Sequence, residues 1–185
     1  LAVTMTAALL RPDLPVVART TSRAIARQMR AFGAPSVVNP FDAFGDHLRL
    51  ALHAPASYQL MVWLQSGPGA ELPARGQPPE AGRWVVCGTG RFVREMARDL
   101  SADGLDVVVV KPAAVAGTPD GDDPSSPRDG SDPAQVDLRQ AVGFVAGTDS
   151  DTTNLSLVAA AGQTNPDLFV AARQNKPASA PLFAA

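Results

Sequence analysis

The chain has 185 residues, enough for one large or two small domains, and its 45% hydrophobic content supports a real core, though only 5% is aromatic. A net charge of −2 and a pI near 5.6 argue against a general nucleic-acid binder. The single cysteine excludes an internal disulfide and suits a reducing compartment, and no apolar run reaches the roughly 18 residues of a membrane span.

Leu1 to Leu10 reads as an Ala/Leu-rich helix ended by Arg11-Pro12-Asp13, and the chain opens in mid-pattern, as a fragment would, with no secretory signal. A short strand is expected at Leu14 to Ala18, then a helix capped by Ser22 that runs to Phe32 and stops at Gly33. Arg23, Arg27 and Arg30 form one solvated face of it. Ser36 to Asn39 is a further strand. A long helix from about Ala43 to Leu64 follows, kinked or split by Pro55, and its apolar end suggests a subunit contact. His47 and His53 on it are six residues apart, so they do not share a helix face as metal ligands would. Residues 65–82 are rich in Gly, Pro and Gln and read as a linker.

The stretch from Arg83 to Pro112 organises the rest. An apolar run, Trp84 to Cys87, meets Gly88-Thr89-Gly90; a helical pattern follows, then Gly104, then a second apolar run, Leu105 to Val110. This is one strand–helix–strand unit. Glycines at 88 and 90 let the backbone approach a pyrophosphate, and the helix behind them offers free N–H groups and a positive dipole end. Val93 stands where the dinucleotide fingerprint has its third glycine, and is expected to push helix and strand slightly apart. Lys111 stands where an acid would hold the ribose hydroxyls; a lysine accepts no hydrogen bond but pairs with phosphate.

Beyond Lys111 a mobile acidic loop is expected near 113–132; its aspartates 120, 122, 123, 129 and 132 lack the order of a calcium loop. A helix is then expected at 133–141, a strand at 142–146 ending in Gly147-Thr148-Asp149, and a helix at Asn154 to Gly162 capped by Thr152 or Thr153. Asn165-Pro166-Asp167 breaks it, and Leu168 to Ala172 is a strand ending at Arg173.

Leu1–Arg19 and Leu155–Arg173 match: Pro12-Asp13-Leu14 parallels Pro166-Asp167-Leu168, and Arg19 parallels Arg173, at a constant offset of 154 residues. The chain therefore carries the back part of one unit and most of a second. Combined, the copies give alternating strands and helices, hence an α/β fold with a doubly wound parallel sheet of Rossmann type. Such sheets bind ligands beyond the strands' carboxyl ends. Those ends carry Gly88 to Phe92, Lys111, Gly147 to Asp149 and Arg173, and in the first unit Arg19 and Asn39.

Val85-Val86-Cys87-Gly88-Thr89-Gly90-Arg91-Phe92 resembles the Gly-x-Gly-Arg-Phe-Gly turn of RCK domains, the regulators of potassium conductance, also called TrkA-N domains. Gly147-Thr148-Asp149-Ser150-Asp151-Thr152-Thr153-Asn154 resembles their Thr-Asp-Asp-x-x-Asn turn, and Asp129-Gly130-Ser131-Asp132-Pro133 their Gly-Asp-x-Thr-Asp-Pro turn. The resemblance implies residues 1–64 as the C-terminal part of a first lobe, 65–82 as linker, and 83–185 as a second lobe. It implies a cytoplasmic gating module at the inner face of the membrane, dimerising or forming higher homo-oligomers through its lobes beneath a potassium pore on the same or another polypeptide. It also implies NAD(H) or an adenine nucleotide (ATP, ADP or AMP) as ligand. The family's ligand positions match at Gly88, Thr89, Gly90, Arg91, Phe92, Thr148, Asp149 and Arg173 and fail at Val93 and Lys111, where lysine still suits a phosphate-rich ligand.

No nucleophile with an adjacent base, metal cluster or acid–base pair lies near the glycine turn, so no catalytic residue is assigned and a non-enzymatic role is expected. The alternatives are a structural lobe that serves dimer assembly without a nucleotide, and a nicotinamide-dependent oxidoreductase, for which the chain shows no substrate domain.

Overall fold

The computed structural model describes residues 1–79, 81–115 and 137–183. They form two compact units, Leu1–Arg49 and Leu50–Ala185. The division falls inside a helix, so the segment at 65–82, expected to link two domains, belongs to the second unit. There the Gln59 side chain donates to the Pro73 carbonyl (2.7 Å) and the Trp63 indole to the Ala70 carbonyl (2.8 Å), tying 70–73 to the preceding helix.

The first unit opens with α1 (Ala2–Leu10), β1 (Val17–Arg19), α2 (Arg23–Ala31) and β2 (Ser36–Val38). β1 and β2 pair in parallel, Val17 opposite Ser36 and Arg19 opposite Val38, with α2 as the crossover. β1 begins three residues later than expected. Pro15 gives the ladder no N–H, so Leu14 and Pro15 stay outside the strand. Ser22 caps α2, its hydroxyl accepting from Ile25 N–H. Ala26, Met29, Ala34 and Val37 form the small core, with Val16 and Ala18 against it.

The chain enters α3 (Pro40–His53) and then α4 (Pro55–Gln65). Proline at 55 has no N–H to continue α3 and instead starts α4, so the long helix is two.

The second unit carries β3 (Arg83–Cys87), α5 (Arg91–Ala102), β4 (Asp106–Val110), β5 (Ala141–Ala146), α6 (Asp151–Thr164), β6 (Phe169–Ala172) and a short α7 (Ala180–Phe183). All four strands are parallel in the order β4-β3-β5-β6. This is the doubly wound arrangement expected, and the direction of winding reverses between β3 and β5. β3 is buried from Trp84 to Cys87, which is why it reads as an unbroken apolar run. One face of the sheet presents Val85, Cys87, Phe144 and Ala146 to Leu157 and Ala161 of α6. α5 buries Phe92, Val93, Met96 and Leu100, a stripe at helical spacing. Burying Leu157 completely contributes about 2 kcal/mol of transfer free energy.

The helix expected at 133–141 is not continued at its end: Leu138–Gln140 is one 3-10 turn, started by the Asp137 carboxylate on Arg139 N–H, and β5 begins at Ala141. Residues 133–136 and the acidic aspartates 120 to 132 lie outside the described residues. α6 starts before Thr152 because the Ser150 hydroxyl caps it through Thr153 N–H. No helix among the described residues is long and apolar enough to cross a membrane.

Candidate functional site

The carboxyl ends of β3 and β5, where the winding reverses, form the crevice in which such sheets hold ligands. The turn after β3 fills one wall. Gly88 N–H donates to the Val110 carbonyl and Gly147 N–H to the Cys87 carbonyl, both at 2.9 Å, which locks the turn between β4 and β5. Gly88 has φ +140, open to glycine alone, and a Cβ there would lie 2.7 Å from Val93 Cγ2. A Cβ on Gly147 would lie 2.9 Å from the same methyl. Val93 is fully buried in the space these two glycines leave. The expected wedge between helix and strand is thus taken up by missing side chains on neighbouring turns.

Gly90 is the residue before α5, and no side chain caps that helix, whereas serines cap α2 and α6. An uncapped first turn behind a glycine pair suits an anion. The group poised there is Asp149: a Cβ on Gly90 would meet its Oδ2 at 3.5 Å. Arg173, at the end of β6, donates from Nη1 to Asp149 Oδ1 (2.5 Å) and lies over the Phe92 ring, 5.0 Å from its centroid. Gly88, Gly90, Phe92, Asp149 and Arg173 therefore meet at one place.

The other expected residues stand as follows. Arg91 is drawn along α5, where its Nε donates to Glu95 Oε1 (2.7 Å). Thr89 offers its carbonyl to Arg94 Nη1 (3.1 Å). Thr148 is held by Asn154, whose Oδ1 accepts both Thr148 N–H (2.9 Å) and Oγ1–H (2.7 Å). Lys111 is exposed at the end of β4 and makes no ion pair among the described residues. In the first unit Arg19 is exposed, while Asn39 is buried and accepts from Phe41 N–H at the start of α3.

Two residues that the sequence offered only within the Thr-Asp-Asp-x-x-Asn resemblance, Asn154 and Asp151, support the site from behind. Fully buried Asn154 donates to the Thr148 and Arg173 carbonyls (3.0 and 2.7 Å), joining the turns after β5 and β6. Asp151 accepts from the backbone N–H groups of Asn175 (2.6 Å) and Lys176 (3.1 Å). The Ser179 hydroxyl above all, and then the Asn175 and Lys176 donors, hold the Asp151 carboxyl down at about 2 against the opposing effect of burial. These partners are 24 to 28 residues away, so only the Asp-x-x-Asn spacing at the start of α6 hints at them.

Cys87, immediately before the glycine turn, has its thiol pushed up to about 12 by burial and stays protonated, which removes it as a nucleophile. No group of three His, Cys, Asp or Glu side chains among the described residues is placed to hold a metal ion. A small apolar groove bounded by α4, residues 73–76 and Phe169 lies at the amino end of β6, the far end of that strand from Arg173.

A parallel sheet with its glycine turn at the switch point defines a Rossmann-type α/β domain. The TrkA-N domain model matches residues 84–185, over half of the chain, and the chain belongs to this family. Among solved structures it is similar to the GsuK channel (16% identity, TM-score 0.61, covering 98% of this chain and 42% of that one). It is likewise similar to GsuK bound to ADP (16%, 0.59, covering 98% and 42%) and to the GsuK RCK domain (14%, 0.58, covering 99% and 55%). At these identities the likeness establishes the fold, which is that of RCK domains. The chain spans less than half the length of the channel chains it matches. No curated protein matches it.

Proposed function

We propose that this chain is a nucleotide-sensing regulatory module of a potassium channel or transporter, working at the inner face of the membrane and assembled through its lobes, and that it is not an enzyme. The observation that carries the reading is the uncapped glycine turn at the switch point, with Asp149 and Arg173 set across it. Membership of the TrkA-N family and a shared fold with an ADP-bound channel protein support it. Gly88, Thr89 and Gly90 would cradle phosphate; Arg91, Phe92, Thr148, Asp149, Arg173 and Lys111 would border the rest of the ligand. NAD(H) and the adenine nucleotides ATP, ADP and AMP are the candidates.

One observation favours a second reading. Asp149 already places a carboxylate beside the N-terminus of α5 and satisfies Arg173, as in a lobe that serves assembly and binds nothing. Thermal unfolding with each nucleotide separates the two. A ligand at a hundred times its Kd adds about 2.7 kcal/mol, a shift of several degrees at this size. A shift that disappears in Gly90→Val, with folding retained, is the outcome expected of a sensor. The same midpoint with every nucleotide leaves the structural lobe.

A further inference from the structure

Lys111 follows β4 directly, and Val110, the residue before it, pairs with Cys87 and accepts the Gly88 N–H at 2.9 Å. Residue 111 is therefore one strand over from the glycine turn. When a dinucleotide's pyrophosphate lies on such a turn, the adenosine ribose lies over the end of this neighbouring strand. Its hydroxyls need an acceptor, and an ammonium group has none. The acid that β4 does carry, Asp106, stands at the opposite end of the strand, paired with Arg83 at 3.0 Å. Of the other cations at these strand ends, Arg91 after the glycine turn is paired with Glu95 (2.7 Å), and Arg173 is three strands away in the order β4-β3-β5-β6 and engaged with Asp149 and Phe92. Lys111 thus stands, exposed and with its backbone extended (φ −80, ψ 153), at the strand end over which the ribose would lie.

A cation at that place complements a phosphate on the ribose. The pyrophosphate does not require it, having the turn and the α5 N-terminus. Resting on the nucleotide-site reading above, we propose that Lys111 selects an adenine dinucleotide carrying a 2′-phosphate, NADP(H), over NAD(H).

Calorimetric titration of the full chain tests this with NADP+, NAD+, ADP and two isomers of equal charge, adenosine 2′,5′-bisphosphate and adenosine 3′,5′-bisphosphate. One charge-assisted contact gives NADP+ and the 2′,5′ isomer an advantage of about tenfold or more over NAD+ and the 3′,5′ isomer. Lys111→Ala removes that advantage, bringing NADP+ and NAD+ to equal affinity, and Lys111→Glu reverses it. Equal affinity for the two isomers, or a preference that survives Lys111→Ala, overturns the inference while NAD+ or ADP binding preserves the site. Absence of binding by every nucleotide overturns the site and the inference together.

Discussion

The helix, Pro-Asp turn and strand that occur twice in this chain have different fates. In the second unit Leu157 is fully buried and Leu168 is 9% exposed; their counterparts in the first, Val3 and Leu14, are 83% and 47% exposed. Yet α1 and α6 end at matching residues, Leu10 and Thr164, at the offset of the repeat. The helix stop and the turn are written locally, by proline and its neighbours. Burial is written by the company the strand keeps: β6 has β5 and β3 beyond it, β1 has β2 alone within its unit.

Paired substitutions put this contrast at risk. The largest effect is expected at the helix–sheet contact. Leu157→Ala should cost about 3 kcal/mol and Val3→Ala no more than about 0.5 kcal/mol, read by urea unfolding followed by circular dichroism. Equal costs would mean that the first copy is packed as well as the second.

Acid should weaken the second unit through Asp151. Its folded pKa, about 2, lies below the ordinary value near 4, so its stabilising effect is full above about pH 4 and is lost as pH falls towards 2. Both tryptophans, Trp63 and Trp84, are in that unit, so their fluorescence reports it. The acid-induced loss should be smaller in Asp151→Asn; an unchanged pH profile would remove Asp151 from the account.

The smallest and most even effect belongs to the serine caps. Ser22→Ala and Ser150→Ala should each cost about 1 kcal/mol, because a cap bond is local and indifferent to the neighbouring strands. A large disparity between them in calorimetric midpoints would show that caps, too, depend on the surrounding sheet.

The same division explains what could be read from the sequence. The apolar run Val85–Cys87 announced a buried parallel strand, Val107–Val110 announced a strand that forms the edge of the sheet, with Val109 exposed and Val110 buried, and Gly88 and Gly90 announced the turn. Pro15 trimmed β1 and Pro55 split the long helix, both through a missing N–H. At α6, four consecutive residues with cap-forming or acidic side chains (Ser150 to Thr153) offered several starts, and only the geometry chose Ser150. In the site, Asp149 and Arg173 were legible as strand-end residues, but their pairing across the turn was not. Arg91 was placed by its neighbour four residues on, Glu95, a helical pair that competes with any ligand. Asn154, Asp151 and Asn175 work across long separations, and the one local pattern that hints at such bonds is the Asp-x-x-Asn spacing at the start of α6.

Val93 carries a lesson for reading fingerprints. The room that a third glycine would give along α5 is supplied instead by Gly88 and Gly147, on the turns after β3 and β5. What the fold keeps is an allotment of empty volume at one point in space, and different chain positions can provide it. A motif search that follows only one helix will count such a domain as defective when its vacancy has moved to the adjoining strand.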